Sequence, residues 1–248
     1  MANHKIAVIS DVHSNIYALE AVLHDIAQKN VDQIVNLGDS LIGPVDPVAT
    51  AERMMKLPNL INVMGNGDEM LLQDKVRSES YDFTRPLLNQ SILEWLGTFH
   101  KQWVYENMLF IHGSPHSNHA YLMEKVTPDG MVPKSLEELD REISSLLQDY
   151  IVCAHSHLSR SVCTPSGKFV INPGSVGLPA YSDEKPYPHD VENFTPYAKY
   201  MLLSVERNQV VQIERSEIRY DWDLAAQTAL RNNRKDYEVA IRTGRALK

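Results

Sequence analysis

The stretch K5-I-A-V-I-S-D-V-H13 decides the fold prediction, because a short apolar run is followed closely by two side chains that bind metal ions. Residues 6–9 are apolar and typical of a buried strand, and Asp11 and His13 lie just beyond them. Side chains two residues apart on an extended segment point the same way. We therefore expect Asp11 and His13 to aim together at one point beyond the strand end.

Four later segments repeat this pattern of an apolar run that ends in a carboxylate, a carboxamide or an imidazole. QIVNL precedes Asp39, LINVM precedes Asn66, MLFI precedes His112, and YIVCA precedes His155 and His157. A glycine directly before Asp39 and before Asn66 allows a sharp turn and close approach of a ligand. Five such segments in one chain predict one metal centre at one edge of a sheet.

The first 64 residues read as alternating strands and helices, an α/β arrangement. Strands are expected at residues 6–9, 33–37 and 59–64, and helices at residues 16–27 and 47–57. A β-α-β order predicts parallel strands with right-handed crossovers. Sheets of this kind bind ligands at the carboxyl ends of their strands, where the candidate ligands of this half fall.

The rest of the chain divides into helical and strand-rich parts. Residues 68–100 carry no ligand-type ending and read as a helical excursion that overhangs the site, and residues 113–133 read as a long loop. Hairpins around residues 165–167 and 207–208 predict a second, more antiparallel sheet. Residues 221–248 read as a helical tail, and the short linkers predict a single domain over the whole chain.

Composition limits the possible functions. Hydrophobic residues make up 43% of the chain and charged residues 23%, as in ordinary globular proteins. The net charge of −8 disfavours binding to a nucleic-acid polymer, which needs a basic face. We expect no membrane span and a cytoplasmic location, because no apolar stretch is long enough and the N-terminus lacks a signal-peptide pattern. Cys153 and Cys163 are expected to be reduced core thiols.

The seven candidate ligands are more than one metal ion needs. Two carboxylates, one carboxamide and four imidazoles suit two ions, since a tetrahedral zinc takes three or four ligands. Oxygen and nitrogen ligands without thiolate favour Mn, Fe, Zn, Ni or Co. Two divalent transition metals that share Asp39 and a bridging water would generate a metal-bridging hydroxide near neutral pH. The predicted reaction is hydrolysis of a phosphate ester or anhydride in a small phosphorylated substrate.

These motifs together resemble the five signature blocks of the calcineurin-like metallophosphoesterases. The blocks are D11-x-H13, G38-D39, G65-N66, H112-G113 and H155-x-H157. The segment N172-P-G-S-V-G-L-P179 is similar to the small bacterial and archaeal phosphodiesterase branch. Y200-M-L-L-S-V-E206 and R219-Y-D-W-D-L-A-A226 resemble, more loosely, a subgroup that includes asymmetrical diadenosine tetraphosphate hydrolases. The resemblance implies a four-layer α-β-β-α sandwich of two mixed sheets with the site at one end.

The resemblance also implies how the ligands divide. The first metal would be held by Asp11, His13, Asp39 and His157, and the second by Asp39, Asn66, His112 and His155. Asn66 would in addition touch a phosphate oxygen, which makes it a catalytic candidate.

One departure from the family pattern concerns the leaving group. Many members have GNH[DE], whose histidine protonates the leaving group, whereas this chain has G65-N66-G67-D68-E69. General acid catalysis typically contributes roughly 10²–10⁴-fold. Its loss should matter least for stable leaving groups, so we expect a phosphodiester or phosphoanhydride, including a dinucleoside polyphosphate.

Two points near this departure stay open from the sequence. Asp68, a further catalytic candidate, either orients a ligand or a water or caps a helix. His116 and His119 either replace the missing acid or are free surface histidines.

Two alternative functions also follow from the sequence. One is a catalytically weak scaffold of the same fold that binds proteins, which completeness of the ligand set opposes. The other is a phosphomonoesterase or protein phosphatase, which the compact size and acidic charge make less attractive. The sequence gives no prediction of the oligomeric state.

Overall fold

A β-α-β-α-β unit begins the chain and forms part of the first sheet. The computed structural model describes residues 4–74 and 76–248. Its first elements are β1 (His4–Ile9), α1 (Ile16–Ile26), β2 (Gln33–Asn36), α2 (Pro47–Met55) and β3 (Leu60–Asn62). The three strands are parallel to one another, as predicted. Asn15 caps α1 by accepting the Ala18 N–H, and Asp46 caps α2 in the same way through the Ala49 N–H.

The first sheet is completed by the last two strands of the chain. β13 (Ala198–Glu206) pairs antiparallel with β1 and with β14 (Gln209–Ile218), giving the order β14-β13-β1-β2-β3. The prediction that the hairpin at residues 207–208 belongs to a second sheet was therefore wrong. Every residue of β13 except Glu206 is buried. A strand buried on both faces belongs inside a sheet, and β13 finds that place between β1 and β14.

The second sheet has a parallel centre with antiparallel edges. Its strands in spatial order are β4 (Trp103–Tyr105), β5 (Met108–Phe110), β8 (Tyr150–Val152), β10 (Phe169–Asn172) and β9 (Arg160–Cys163). β5, β8 and β10 run parallel, and β4 and β9 are antiparallel to their neighbours. The expectation of a more antiparallel sheet holds only at the edges. The central strands β5 and β8 are apolar and fully buried, which is typical of parallel strands.

Apolar clusters divide the molecule into four layers. One cluster lies between the sheets and joins residues such as Val8 of the first sheet to Phe110 and Val152 of the second. A second covers the outer face of the first sheet with α1, α7 (Trp222–Arg231) and α8 (Lys235–Thr243). A third packs α6 (Leu136–Ile143) on the outer face of the second sheet. The structure is thus the predicted α-β-β-α sandwich of two mixed sheets.

The region at residues 68–100 is largely helical, as predicted. It contains α3 (Asn66–Leu72), α4 (Glu79–Thr84), a 3₁₀ turn (Arg85–Leu87) and α5 (Gln90–Leu96). The first helix begins at Asn66, and Asp68 in its first turn accepts the Gly65 N–H. The C-terminal helices α7 and α8 are separated near Asn232, as predicted.

Two short hairpins and one cysteine correct the sequence reading. The expected loop at residues 113–133 contains a hairpin of β6 (Glu124–Thr127) and β7 (Gly130–Pro133). β11 (Ala180–Asp183) and β12 (His189–Glu192) form another that was not predicted. Cys153 is buried as expected, but Cys163 is exposed, because it ends the edge strand β9. Within the described residues, no helix has the length and apolar character needed to cross a bilayer.

Candidate metal centre

The seven predicted ligands follow the carboxyl ends of strands from both sheets. Asp11 and His13 follow β1, Asp39 follows β2, Asn66 begins α3, His112 follows β5, and His155 and His157 follow β8. Two groups of three converge, Asp11–His13–His157 and Asp39–His112–His155, and the ligand atoms within each group lie within 4.8 Å of one another. The structure therefore brings these residues together at one end of the sandwich.

Asp39 lies between the two groups. Its Oδ2 is 3.8 Å from His13 Nε2, and its Oδ1 is 3.7 Å from His112 Nε2. The Asn66 Oδ1 atom approaches His112 Nε2 to 3.0 Å. A carboxylate with one oxygen toward each group is suited to being shared by two cations.

Backbone carbonyls fix the tautomers of three histidines. The Nδ1 atoms of His13, His112 and His157 lie 2.9, 2.8 and 2.6 Å from the carbonyl oxygens of Ile42, Leu37 and Leu178. A carbonyl oxygen only accepts, so in each neutral ring Nδ1 carries the hydrogen and Nε2 presents its lone pair to the site. This is the arrangement that a metal-binding histidine needs.

The inward-facing atoms repel one another unless a cation lies among them. His13 Nε2 and His157 Nε2 are 3.2 Å apart, and His157 Nε2 is 3.3 Å from Asp11 Oδ1. With Nδ1 protonated, these are contacts between lone pairs. Both carboxylate oxygens of Asp11 are buried and make no hydrogen bond to any residue that the structure describes. A buried carboxylate without donors is unfavourable, so this donor set fits a divalent cation.

The protonation states also favour metal binding. Burial opposes ionisation of Asp11, but the charges of His157, His112 and His13 hold its pKa below the ordinary value. Burial and the neighbouring His112 lower the pKa of His155 to about 3. The Nε2–H of His155 donates a hydrogen bond to the His119 carbonyl oxygen at 3.2 Å. The lone pair of Nδ1 therefore remains to bind a metal ion. The lowered pKa values of Asp11 and His155 thus favour the forms that bind a metal ion, a carboxylate and a neutral imidazole.

Asp68 accepts hydrogen bonds from backbone N–H groups around Asp39, and its predicted catalytic role stays a prediction. Its Oδ2 accepts the N–H groups of Asp39 at 2.8 Å and Gly65 at 3.2 Å, and its Oδ1 accepts the Ser40 N–H at 2.9 Å. The residue is fully buried. Burial and repulsion from Asp39 raise the pKa of Asp68 to about 7. Of the two alternatives left open for Asp68, the structure shows the helix cap, and the hydrogen bonds to the Asp39 loop are consistent with the orienting role.

Gly67, which stands where many family members have the general-acid histidine, is closely packed against Ile42 and Asp39. The Gly67 N–H donates to Asp39 Oδ1 at 2.7 Å. A Cβ atom at this position would lie 2.4 Å from Ile42 Cγ2 and 3.0 Å from Asp39 Oδ1. The present arrangement has no room for a side chain here. His116 and His119 are both exposed.

The ligand loops are not extended, which corrects the geometry assumed for Asp11 and His13. Five of the ligands have positive φ: Asp11 (53°), His13 (47°), Asp39 (53°), His155 (69°) and His157 (58°). The left-handed region is unfavourable for these residues and occurs at functional sites where surrounding contacts enforce it. Convergence therefore comes from strained turns, which apolar periodicity does not reveal.

A cavity of about 410 Å³ opens beside the ligands. It is lined by the candidate ligands His13, Asn66 and His157 and also by Arg234, which directly precedes α8, and by Tyr237 within α8. Neither Arg234 nor Tyr237 was predicted to be part of the site. No motif marks them, since only the packing of the C-terminal helices places them there.

Comparisons with known proteins agree with this geometry. The calcineurin-like phosphoesterase superfamily domain matches residues 5–192. An uncharacterized protein from Methanocaldococcus jannaschii is 29% identical over 209 residues, which cover 72% of this chain and 79% of the relative. A metallophosphoesterase from Sphaerobacter thermophilus superposes with a TM-score of 0.73 at 20% identity, covering 96% of this chain and 100% of that one. A hypothetical protein from Pyrococcus horikoshii gives 0.74 at 16% identity, with 97% and 98% covered. The two structures share the fold.

Proposed function

Because the chain belongs to the calcineurin-like phosphoesterase superfamily, we propose that it hydrolyses a phosphodiester or phosphoanhydride with two divalent metal ions. The observation that carries this proposal is the position of Asp39 between two groups of inward-facing ligands. Bound divalent ions would supply charge for the phosphate oxygens and a nucleophile near neutral pH.

The residues divide between the two ions in the way that the family resemblance implies. Asp11, His13, Asp39 and His157 would hold one ion, and Asp39, Asn66, His112 and His155 the other. Nitrogen and oxygen donors of this kind suit Mn, Fe, Zn, Ni or Co. Asn66 directs its Oδ1 toward His112, so its amide N–H groups remain to donate to a phosphate oxygen. Asp68 and Gly67 hold Asp39 in place through backbone hydrogen bonds.

Gly67 sets the expected preference among leaving groups. Without a general acid at this position, alkoxide leaving groups should react slowly, whereas aryl oxides and phosphates leave without protonation. We therefore propose diesters with stable leaving groups, or anhydrides such as a dinucleoside polyphosphate, as substrates. A phosphomonoesterase acting on alkyl esters is the less favoured reading.

A hydrolysis panel tests this proposal. With Mn²⁺ present, bis(4-nitrophenyl) phosphate or diadenosine tetraphosphate should be cleaved with a kcat/KM at least about 100-fold above that for glycerol phosphate, in line with the contribution of a general acid. Asp129→Ala, at an exposed carboxylate, serves as a control and should behave as wild type. Faster cleavage of glycerol phosphate would contradict the missing-acid argument. No turnover of any substrate would favour the protein-binding scaffold.

A further inference from the structure

The helix α8 adds residues to the cavity that lie outside the matched family domain. That match ends at residue 192, whereas α8 spans Lys235–Thr243. Arg234, Asp236, Tyr237 and Ala240 line the same cavity as the metal-site residues His13 and His157. The Tyr237 ring lies edge-on to His13, with 6.4 Å between the ring centroids. The second wall of the site is therefore particular to the C-terminal part of this chain.

Arg234 is held rigidly in that wall. Its Nε and Nη2 atoms donate to the two carboxylate oxygens of Asp236 at 2.9 and 2.6 Å, and its Nη1 donates to Ser80 Oγ at 2.7 Å. The guanidinium also lies over the Tyr237 ring at 4.5 Å. The side chain is only 12% exposed. A guanidinium has five N–H groups, and these three contacts leave two of them to bind a ligand in the cavity.

The charges of the cavity disfavour a second phosphate. Among the residues that the structure describes, and apart from the candidate ligand Asp39, the charged lining residues are Arg234, Asp183 and Asp236. Arg234 is already paired with Asp236, and Glu79 lies 3.7 Å from its Nε. A phosphate in this position would face carboxylates that outnumber the single cation. Sugar hydroxyl groups suit it better, because they donate to carboxylates and accept from a guanidinium.

Besides Ser80 and Ser182, the remaining lining residues outside the candidate metal site are apolar or aromatic. They comprise Leu178, Ala180, Ala240, Ala246, Leu247 and the rings of Tyr181 and Tyr237. A volume of about 410 Å³ falls within the roughly 300–1,000 Å³ of pockets that enclose small organic ligands. Apolar and aromatic side chains of this kind favour a flat, uncharged ring of a ligand, which can pack against the tyrosine rings.

We infer that this cavity binds a nucleoside-like group that is esterified directly to the phosphate at the metal centre. The inference rests on the proposed function and narrows it to nucleoside phosphoesters, with Arg234 and Tyr237 as specificity-determining residues. It places no further phosphate between the nucleoside and the reacting phosphorus.

Calorimetric binding to the Mn²⁺-loaded protein tests the inference without requiring turnover. AMP should bind wild type at least tenfold more tightly than inorganic phosphate does, and more tightly than ADP. Arg234→Met should weaken AMP binding about tenfold and leave phosphate binding unchanged. Arg245→Met is the matched control, because Arg245 lies over Phe194 and is exposed, and it should change neither affinity.

The outcomes separate this subsite from the proposed function. Equal affinities of wild type for AMP and phosphate, tighter binding of ADP, or equal losses for AMP and phosphate in Arg234→Met would each overturn the subsite. The affinities of wild type for AMP, phosphate and ADP test the subsite without any variant, so the test stands even if Arg234→Met unfolds. Selective AMP binding without hydrolysis of any phosphoester would uphold the subsite and contradict the enzyme.

Discussion

At the scale of single residues, the candidate ligands are fixed by contacts distant in sequence. His157, for example, is held by the carbonyl of Leu178, and His112 by that of Leu37. These carbonyls select the tautomer that turns Nε2 toward the site. The strained turns at Asp11 and Asp39 complete the arrangement, and the energy that holds them comes from the surrounding sheets.

Gly67→Ala should weaken the metal centre rather than leave it unchanged. The new methyl group would press on Ile42 Cγ2 and on the Asp39 carboxylate. We expect about 1–3 kcal/mol lower free energy of unfolding from overpacking and roughly 10–100-fold weaker metal binding from the displaced Asp39. Urea denaturation and metal titration measure these effects. In the double variant, Ile42→Ala should restore part of the stability and part of the metal affinity. A Gly67→Ala variant with the stability and metal affinity of wild type would refute the packing argument.

In the metal-free protein, the contribution of His155 to stability should fall as the pH drops below about 6.5. Burial and His112 lower the pKa of His155 to about 3, so between these values the unfolded chain binds a proton that the folded chain does not. The contribution of His155 to stability therefore rises with pH. His13, whose pKa is also lowered by burial, adds to this contribution, whereas the raised pKa values of His112 and of Asp68 (about 7) oppose it.

Comparison with His155→Gln isolates the contribution of that histidine. Urea denaturation of metal-free protein at pH 7.5 and 5.5 gives the change in unfolding free energy on acidification, and this change should be less favourable for wild type than for the variant. Equal changes would show that His155 is not buried in its neutral form.

The clustering of the candidate ligands could be predicted from the sequence, but their geometry could not. An apolar run that stops at Asp39 or His112 is a local signal that a reader of the sequence can find. The positive φ values and the carbonyl partners depend on packing between segments. Arg234 carries no local signal at all, because only the docking of α8 brings it to the cavity.

At the scale of elements, Asp68 joins the start of α3 to the loop after β2. Its carboxylate accepts N–H groups from Gly65 on one side and from Asp39 and Ser40 on the other. Three hydrogen bonds to one buried carboxylate make this connection rigid. The position of Asn66 relative to Asp39 depends on it, since Asn66 begins the same helix.

Asp68→Asn should therefore loosen the site without touching a ligand. An amide has one acceptor oxygen, so its NH₂ group would meet a backbone N–H, leaving a buried donor unsatisfied at about 1–3 kcal/mol. Thermal unfolding measures the loss, and metal titration should show weaker binding of the ion assigned to Asn66. Asp129→Asn, at an exposed position, is the control. Unchanged stability and metal affinity in Asp68→Asn would contradict the positioning role.

The elements themselves were predictable where the signal is local. Alternation of apolar runs and helical periodicity identifies β1 through β3 with α1 and α2. The assignment of β13 to the first sheet was missed, because its partners in β1 are 193 or more residues away and neither segment carries a local signal of the pairing, as Ile6 and Leu203 show. The hairpin of β11 and β12 was missed because its strands are short and partly polar.

At the scale of the whole molecule, two sheets are needed to make one site. The Asp11 and Asp39 loops come from the first sheet, and the loops of His112 and His155 come from the second. The core between the sheets fixes their spacing and so fixes the separation of the two ligand groups. The predicted four-layer architecture is confirmed, while the single-domain organisation of residues 1–248 stays a prediction.

The central claim is that this end of the sandwich holds two divalent ions with Asp39 between them. The most direct measurement is metal content per chain after dialysis, read by mass spectrometry and paired with hydrolysis of bis(4-nitrophenyl) phosphate. Wild type and Asp129→Ala should retain about two ions, whereas Asp39→Ala should retain fewer and lose at least about 10³-fold in kcat while keeping its circular dichroism spectrum. Full activity in metal-free protein, or an unchanged metal content in Asp39→Ala, would contradict the account.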